Sequence, residues 1–369
     1  MELAKLVVEK GANVNAVGTD NGHESTPLWF AARAMTDDTE GAVALATLLV
    51  EKGADVRAVG ADDDGYESTP LWWAASAVSC EWQDAEEAEG AAELAKLLVR
   101  KGADVNAFGA HNNGKSTPLW RAAFAVSDGR GCALQLATLL VEQGADINAV
   151  GSRGGITAAT PLWLAAYEYM IDDACEGGFD MAKLLVEKGA GVNTVGEDTG
   201  FYGNYKCAPL WFAAKAVYNG RARAVEMATL LVHKGADANE VEVECDEHES
   251  TPLRLAAEAV RDGKAGGPEL ARLLISAGAR LADDEKDEFQ GFVDQLPLCL
   301  ALLERTSTSL TVSWLGGLAG ARGYSVSLEL PGGNTMSSTR QGLTLPHSTV
   351  LVRESFCVQF LTSDDPSIY

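Results

Sequence analysis

The same alternation of apolar and polar positions returns six times along this chain. Between Thr117 and Asn148, Leu119, Ala122 and Ala123 fall at i, i+3 and i+4, one face of a short helix. A polar stretch from Ser127 to Gly131 follows. Leu134, Ala137, Leu140 and Val141 then resume a 3.6-residue period, which predicts a second helix. Thr117 stands before Pro118, and proline suits the first helical position because its missing N–H would have no partner there. The threonine hydroxyl can cap that helix. Gly144 ends the second helix as a glycine in the left-handed region does. Residues 145 to 150 read as an extended arm, and a turn rich in Gly and Asn leads to the next Thr-Pro. Each unit is therefore expected to run helix, loop, helix, arm.

The prolines that open the units are Pro27, Pro70, Pro118, Pro161, Pro209 and Pro252, separated by 43, 48, 43, 48 and 43 residues. Self-similarity at such a period predicts stacked units that contact mainly their neighbours. The residue after the helix-two alanine alternates too: Lys5, Thr47, Lys96, Thr138, Lys183, Thr229, then Arg272. A pair of units is thus expected to be the block that duplicated. The chain starts inside a unit, so Leu3, Leu6 and Val7 are expected to lack an inner helix to pack on. That start predicts repeats missing upstream or a frayed end.

The string Thr-Pro-Leu-x-x-Ala-Ala, then Leu-Leu-Val-x-x-Gly-Ala-Asp-Val-Asn (good copies at 97–106 and 139–148), resembles the ankyrin repeat. The resemblance spans residues 1 to about 285. Where that family has His after Thr-Pro-Leu, this chain has Trp29, Trp72, Trp120, Trp163 and Trp211, with Arg254 in the last copy. The family period is about 33 residues, so these repeats are long. Pro27 to Gly53 spans 26 residues and Pro70 to Gly102 spans 32, which places most of the extra length between the helices. Each Trp falls in the first turn of an inner helix, where packing between repeats is the expected use. Its indole N–H should then find an acceptor in the adjoining arm.

The resemblance implies a non-enzymatic module that binds other proteins through the concave face of a solenoid, as an adaptor or scaffold. The residue after each Ala-Ala matches a contact position of that family: Arg33, Ser76, Phe124, Tyr167, Lys215 and Glu258. From the arms, Tyr66, His111, Lys115, Phe201, Tyr202 and Tyr205 join the candidate partner-binding set, since exposed aromatics anchor interfaces. Two other classes stay open. One is the substrate-recruiting part of a larger enzyme or signalling protein, and the other is a structural spacer without a specific partner.

The periodicity changes near Asp294. Leu310, Val312 and Trp314 alternate with polar residues, as do Tyr324, Val326, Leu328 and Leu330, which reads as half-buried strands. Val350, Val352, Phe356, Val358 and Phe360 suggest another strand or two, and Gly332-Gly333 a turn. Thr306 to Trp314, then Gly323-Tyr324-Ser-Val, resembles the second and third strands of a fibronectin type III sandwich. The expected organisation is a mostly α, ankyrin-like helix-loop-helix solenoid with β-arm fingers at 1–285. A linker at 286–295 leads to a small, incomplete all-β sandwich at 296–369, which would add a second binding or spacer module.

The net charge of −24, from 53 acidic and 29 basic residues, argues against nucleic acid, whose phosphates need clustered Lys and Arg. Acidic residues gather in the arms (Asp62, Asp63 and Asp64; Glu240 to Glu249) and between helices (Asp37 and Asp38; Glu86, Glu87 and Glu89). They keep the surface solvated or attract a basic partner protein. Seven cysteines without regular spacing point to reduced thiols and a cytoplasmic chain. No apolar run reaches membrane-spanning length.

Several motifs imitate chemistry. Gly109 to Ser116 satisfies the phosphate-loop pattern GxxxxGK[ST], but it follows a polar-interrupted arm rather than a buried strand. Asp62 to Gly65 lacks the first and last ligands of a calcium loop. Cys245 and His248 have no second pair at zinc-ligand spacing, and Gly316 to Gly323 lies between expected strands. The five histidines show no recurrent pairing with a Ser or Cys nucleophile. No catalytic residue, cofactor or metal site and no small-molecule substrate is expected.

Overall fold

The computed structural model describes residues 2–280, except 21–22, 38, 80–84, 112–113, 129–130, 172–175, 201–202 and 244–248, together with six strands between 299 and 361. An outer helix α1 (Glu2–Glu9) is followed by a hairpin, β1 (Gly18–Asp20) and β2 (His23–Ser25). Helix pairs and hairpins then alternate: α2 (Pro27–Arg33), α3 (Ala42–Glu51), β3 (Gly60–Ala61), β4 (Glu67–Ser68), α4 (Pro70–Val78), α5 (Ala85–Arg100), β5 (Gly109–His111), β6 (Gly114–Ser116). The alternation continues through α6 (Pro118–Phe124), a 3-10 turn (Ala125–Asp128), α7 (Gly131–Glu142), β7 (Gly151–Arg153), β8 (Ile156–Ala159), α8 (Pro161–Ile171) and α9 (Glu176–Glu187). Next come β9 (Gly196–Gly200), β10 (Gly203–Cys207), α10 (Pro209–Tyr218), α11 (Ala224–His233), β11 (Glu242–Val243), β12 (Glu249–Ser250), α12 (Pro252–Arg261) and α13 (Gly267–Ser276). The helix, loop, helix, arm order holds in every described repeat.

Packing divides the chain into two compact units. The first is 1–216 with 226–236 and 241–249, and the second is 217–225 with 237–240 and 250–369. The last helix pair, α12–α13, thus groups with the C-terminal strands, while the repeat periodicity runs on through it. The linker expected at 286–295 lies outside the described residues.

Local signals act as expected. The Oγ1 of Thr26, Thr69, Thr117 and Thr160 accepts a hydrogen bond from the backbone N–H of Trp29, Trp72, Trp120 and Trp163. Thr251 does the same for Arg254. Gly144 has φ +86°, and Ala145 N donates to Leu140 O at 2.9 Å, closing the helix end. The extra length of the long repeats is not placed uniformly. Helix α5 has 16 residues against 10 in α3, whereas the repeat opening at Pro161 lengthens its hairpin, with five residues each in β9 and β10. The first matches the expected insertion between Pro and Gly, and the second matches it in part, since α8 has 11 residues against 7 in α2 and in α6.

Two side-chain ladders join the repeats of the first unit. In one, each tryptophan of an inner helix reaches the next arm. Trp29 Nε1 donates to Ser68 O, Trp72 to Ser116 O, Trp120 to Ala159 O and Trp163 to Cys207 O, at 2.9–3.1 Å. All four rings are fully buried. The glycine that opens that arm makes room for the ring. A Cβ on Gly109 would stand 2.3 Å from Trp72, and one on Gly151 2.7 Å from Trp120. Gly60 and Gly196 bear the same relation to Trp29 and Trp163.

In the other ladder, Asn106 Nδ2 donates to Gly144 O and Asn106 Oδ1 accepts from Asp146 N, at 3.1 and 2.7 Å. Asn15 clamps Gly53 and Asp55 alike, and Arg57 Nε takes the place of the amide against Gly102 O. Within the second unit, Asn239 clamps Gly278 and Arg280. Each clamp satisfies a carbonyl that the helix end leaves open.

Beyond residue 298, β13 (Cys299–Arg305), β14 (Leu310–Leu315) and β17 (His347–Val352) form one antiparallel sheet. A second contains β15 (Gly323–Glu329), β16 (Thr335–Gln341) and β18 (Phe356–Leu361), in the order β16-β15-β18. The strands expected at 310–314, 324–328, 350–352 and 356–360 are present, and β13 and β16 are additional. Leu330 and Gly332-Gly333 lie outside the described residues.

Candidate interaction surface

The six positions after Ala-Ala do not form one exposed row. Arg33, Phe124, Lys215 and Glu258 are half-buried, but Ser76 (7 % exposed) and Tyr167 (1 %) are buried, contrary to expectation. Every residue of α4 is buried, so the short Ser76 side chain stays below the surface. Tyr167 stacks on Trp163 at 5.0 Å and is flanked by Tyr205 and Phe212. Its hydroxyl donates to Asp198 Oδ2 at 2.7 Å. Burial, then the bond to that carboxylate, push the Tyr167 phenol well above its ordinary range.

The half-buried members have partners of their own. Arg33 lies 3.5 Å from Asp63 and 5.8 Å from the Trp29 ring. Lys215 Nζ is 5.6 Å from the Trp211 ring, and Glu258 accepts from Arg254 Nε at 3.2 Å. Phe124 stacks on Trp120 at 5.8 Å.

Alternation along the hairpins gives the arms two faces. On the face towards the inner helices, the side chain two residues after the arm glycine is Asp62, His111, Arg153 or Asp198. Two neighbouring members of this column meet directly: His111 Nδ1 and Asp62 Oδ2 are 2.8 Å apart. Asp62 Oδ1 also accepts from Asp64 N and Tyr66 N, so the acidic turn that imitates a calcium loop is closed on itself. Half-buried Tyr66 takes part here through its backbone. The phosphate-loop look-alike is the hairpin β5–β6, paired Gly109↔Ser116, Ala110↔Lys115 and His111↔Gly114.

On the opposite face, the residue just before each arm's first strand is apolar and open to solvent. Val17, Val59, Phe108, Val150, Val195 and Val241 are all 40–61 % exposed. Lys115 Nζ lies 5.0 Å from the Phe108 ring, so this candidate belongs to the outward face and His111 to the inward one. Tyr205 is half-buried against Trp211 and Phe212. Phe201 and Tyr202, and the Cys245 and His248 pair, lie outside the described residues. The outward row was missed from the sequence, although one apolar residue precedes every arm glycine. The signal was the register, not the residue type.

Among the described residues, no group of three or more His, Cys, Asp or Glu could hold a metal. No described helix is long and apolar enough to cross a membrane.

Compared with known families, residues 66–109 match the ankyrin repeat. That span runs from the end of one arm through α4 and α5 to the glycine of the next. Comparison with curated proteins gives no match.

Proposed function

We propose that this chain is a non-catalytic protein-binding module, an adaptor or scaffold built on ankyrin-like repeats. The ankyrin match at 66–109 supports protein interaction as its general role. The observation that carries the reading furthest is the outward row of exposed apolar side chains from Val17 to Val241, one per repeat at a constant register. A row of exposed apolar side chains repeated at one register suits an elongated partner strip, and the ladders beneath hold its spacing fixed. The partner we propose is a protein whose contact strip is apolar, flanked by basic side chains that complement the net charge of −24. The half-buried Arg33, Phe124 and Lys215 on the inner helices lie apart from this row and offer a second contact surface. We place the module in the cytoplasm, on the cysteine pattern alone, and read the two C-terminal sheets as a fibronectin type III-like spacer. In those sheets the fifth strand returns beside the second and the sixth beside the third, as Greek-key connections require.

The test uses the full chain beside a variant with Val59, Phe108 and Val150 all changed to Asp. A partner captured from extract is identified, purified and titrated against both. The proposal expects the variant to keep its circular dichroism and to bind at least about tenfold more weakly, roughly 1.4 kcal/mol. Equal affinity for both would remove the outward row from the account.

A further inference from the structure

Arg121 is out of place by its chemistry. It sits on α6 at the position held in other inner helices by Phe30, Trp73, Leu164, Phe212 and Leu255, and only 5 % of it is exposed. Its guanidinium carbon lies 4.4 Å from the Trp72 ring centroid and 5.9 Å from that of Trp120, between the aromatic faces of two successive repeats. Its Nε is buried without an acceptor, and among the described residues no carboxylate lies within ion-pair distance of it. A second cation, Arg153, acts on it electrostatically, and the Arg153 guanidinium carbon lies 4.5 Å from the Phe124 ring. Arg153 and Phe124 are half-buried and reach solvent, so Arg121 lies just beneath a surface that they line.

A buried cation without a counter-ion is costly, and facing rings offset only part of that cost. Burial first, and Arg153 second, lower the Arg121 pKa to about 9. In a chain of net charge −24, a buried guanidinium whose Nε lacks an acceptor offers planar N–H donors suited to an anion.

We propose that Arg121 and Arg153 form an oxyanion site that takes one carboxylate or phosphate group. The bound group would accept from the guanidinium donors while the rings of Trp72, Trp120 and Phe124 hold the two planes apart and exclude water. The site is independent of the outward apolar row, so either can fail without the other.

The experiment is calorimetric titration of the full chain with inorganic phosphate and, separately, with acetate, at constant ionic strength set by chloride. Wild type should bind at least one of them saturably, and the preferred anion identifies which group a natural ligand presents. Arg121→Met, which keeps an apolar chain between the two indoles, should weaken binding by about tenfold or more. If Arg121→Met does not fold by circular dichroism, Arg153→Gln is the reading variant and should weaken binding several-fold. Absence of saturable binding to wild type, or equal binding by wild type and the folded variants, would overturn the proposal.

Discussion

From Trp29 to Gly196, the repeats are joined by a ring that leaves its own helix and lodges against the next arm. In the last repeat, Arg254 holds the tryptophan position and turns back to Glu258 on its own helix, at 3.2 Å. The threonine cap, the Pro-Leu start and the Ala-Ala pair are the same in both regions. Only the fourth residue of the motif differs, and with it the reach of the side chain. Glu242 stands where a glycine opens the earlier arms, and Trp211 Nε1 has no hydrogen-bond partner among the described residues. Helix formation and coupling between repeats are thus written in different positions, and the coupling half needs the tryptophan and the glycine together.

Trp120→Ala should break this coupling most severely. It empties a fully buried ring site and frees Ala159 O, and chemical denaturation should register a loss of about 3–5 kcal/mol. A loss well under about 1 kcal/mol would mean that the ring does not hold the repeats together. Gly151→Ala attacks the same contact from the other side. Its new Cβ would stand 2.7 Å from the Trp120 ring, and overpacking of this kind costs about 1–3 kcal/mol in thermal or urea unfolding. Tyr167→Phe leaves the buried Asp198 carboxylate without one donor and should cost about 1–3 kcal/mol at neutral pH.

The Tyr167 phenol keeps its proton in the folded state above the pH at which an unfolded tyrosine loses it. Its stabilisation is therefore present below about pH 10 and lost as the pH rises further. The Phe variant should flatten that alkaline slope in a pH series of melts. Arg254→Ala marks the other end of the scale. The half-exposed i,i+4 pair with Glu258 should yield only about 0.3–0.5 kcal/mol, close to the limit of a denaturation measurement.

Much of the scaffold was legible because its signals are local. Thr117, Pro118 and Gly144 act within one helix, and the tryptophans announced an acceptor in the arm that the structure supplies. What stayed hidden depends on the neighbouring repeat. Gly109 and Gly151 read as turn residues, yet what requires them is a ring some 30 to 40 positions earlier in the chain. Asn106 read as part of an arm and is a clamp on Gly144. Tyr167 and Ser76 occupy the repeat position of Arg33 and Lys215, and burial separates them because it is set by what the adjacent repeat lays on top. Arg121 sat in an apolar column and drew no notice. A period shows which residues are equivalent, but not which of them touch.

The most direct measurement is a urea-unfolding cycle over wild type, Gly151→Ala, Trp120→Leu and the double variant. If a ring seated on a glycine joins the repeats, Gly151→Ala costs about 1–3 kcal/mol in wild type and under about 0.5 kcal/mol once the ring is gone. An equal cost in both backgrounds would contradict the account, because the glycine would then serve its own arm and not the tryptophan of the repeat before.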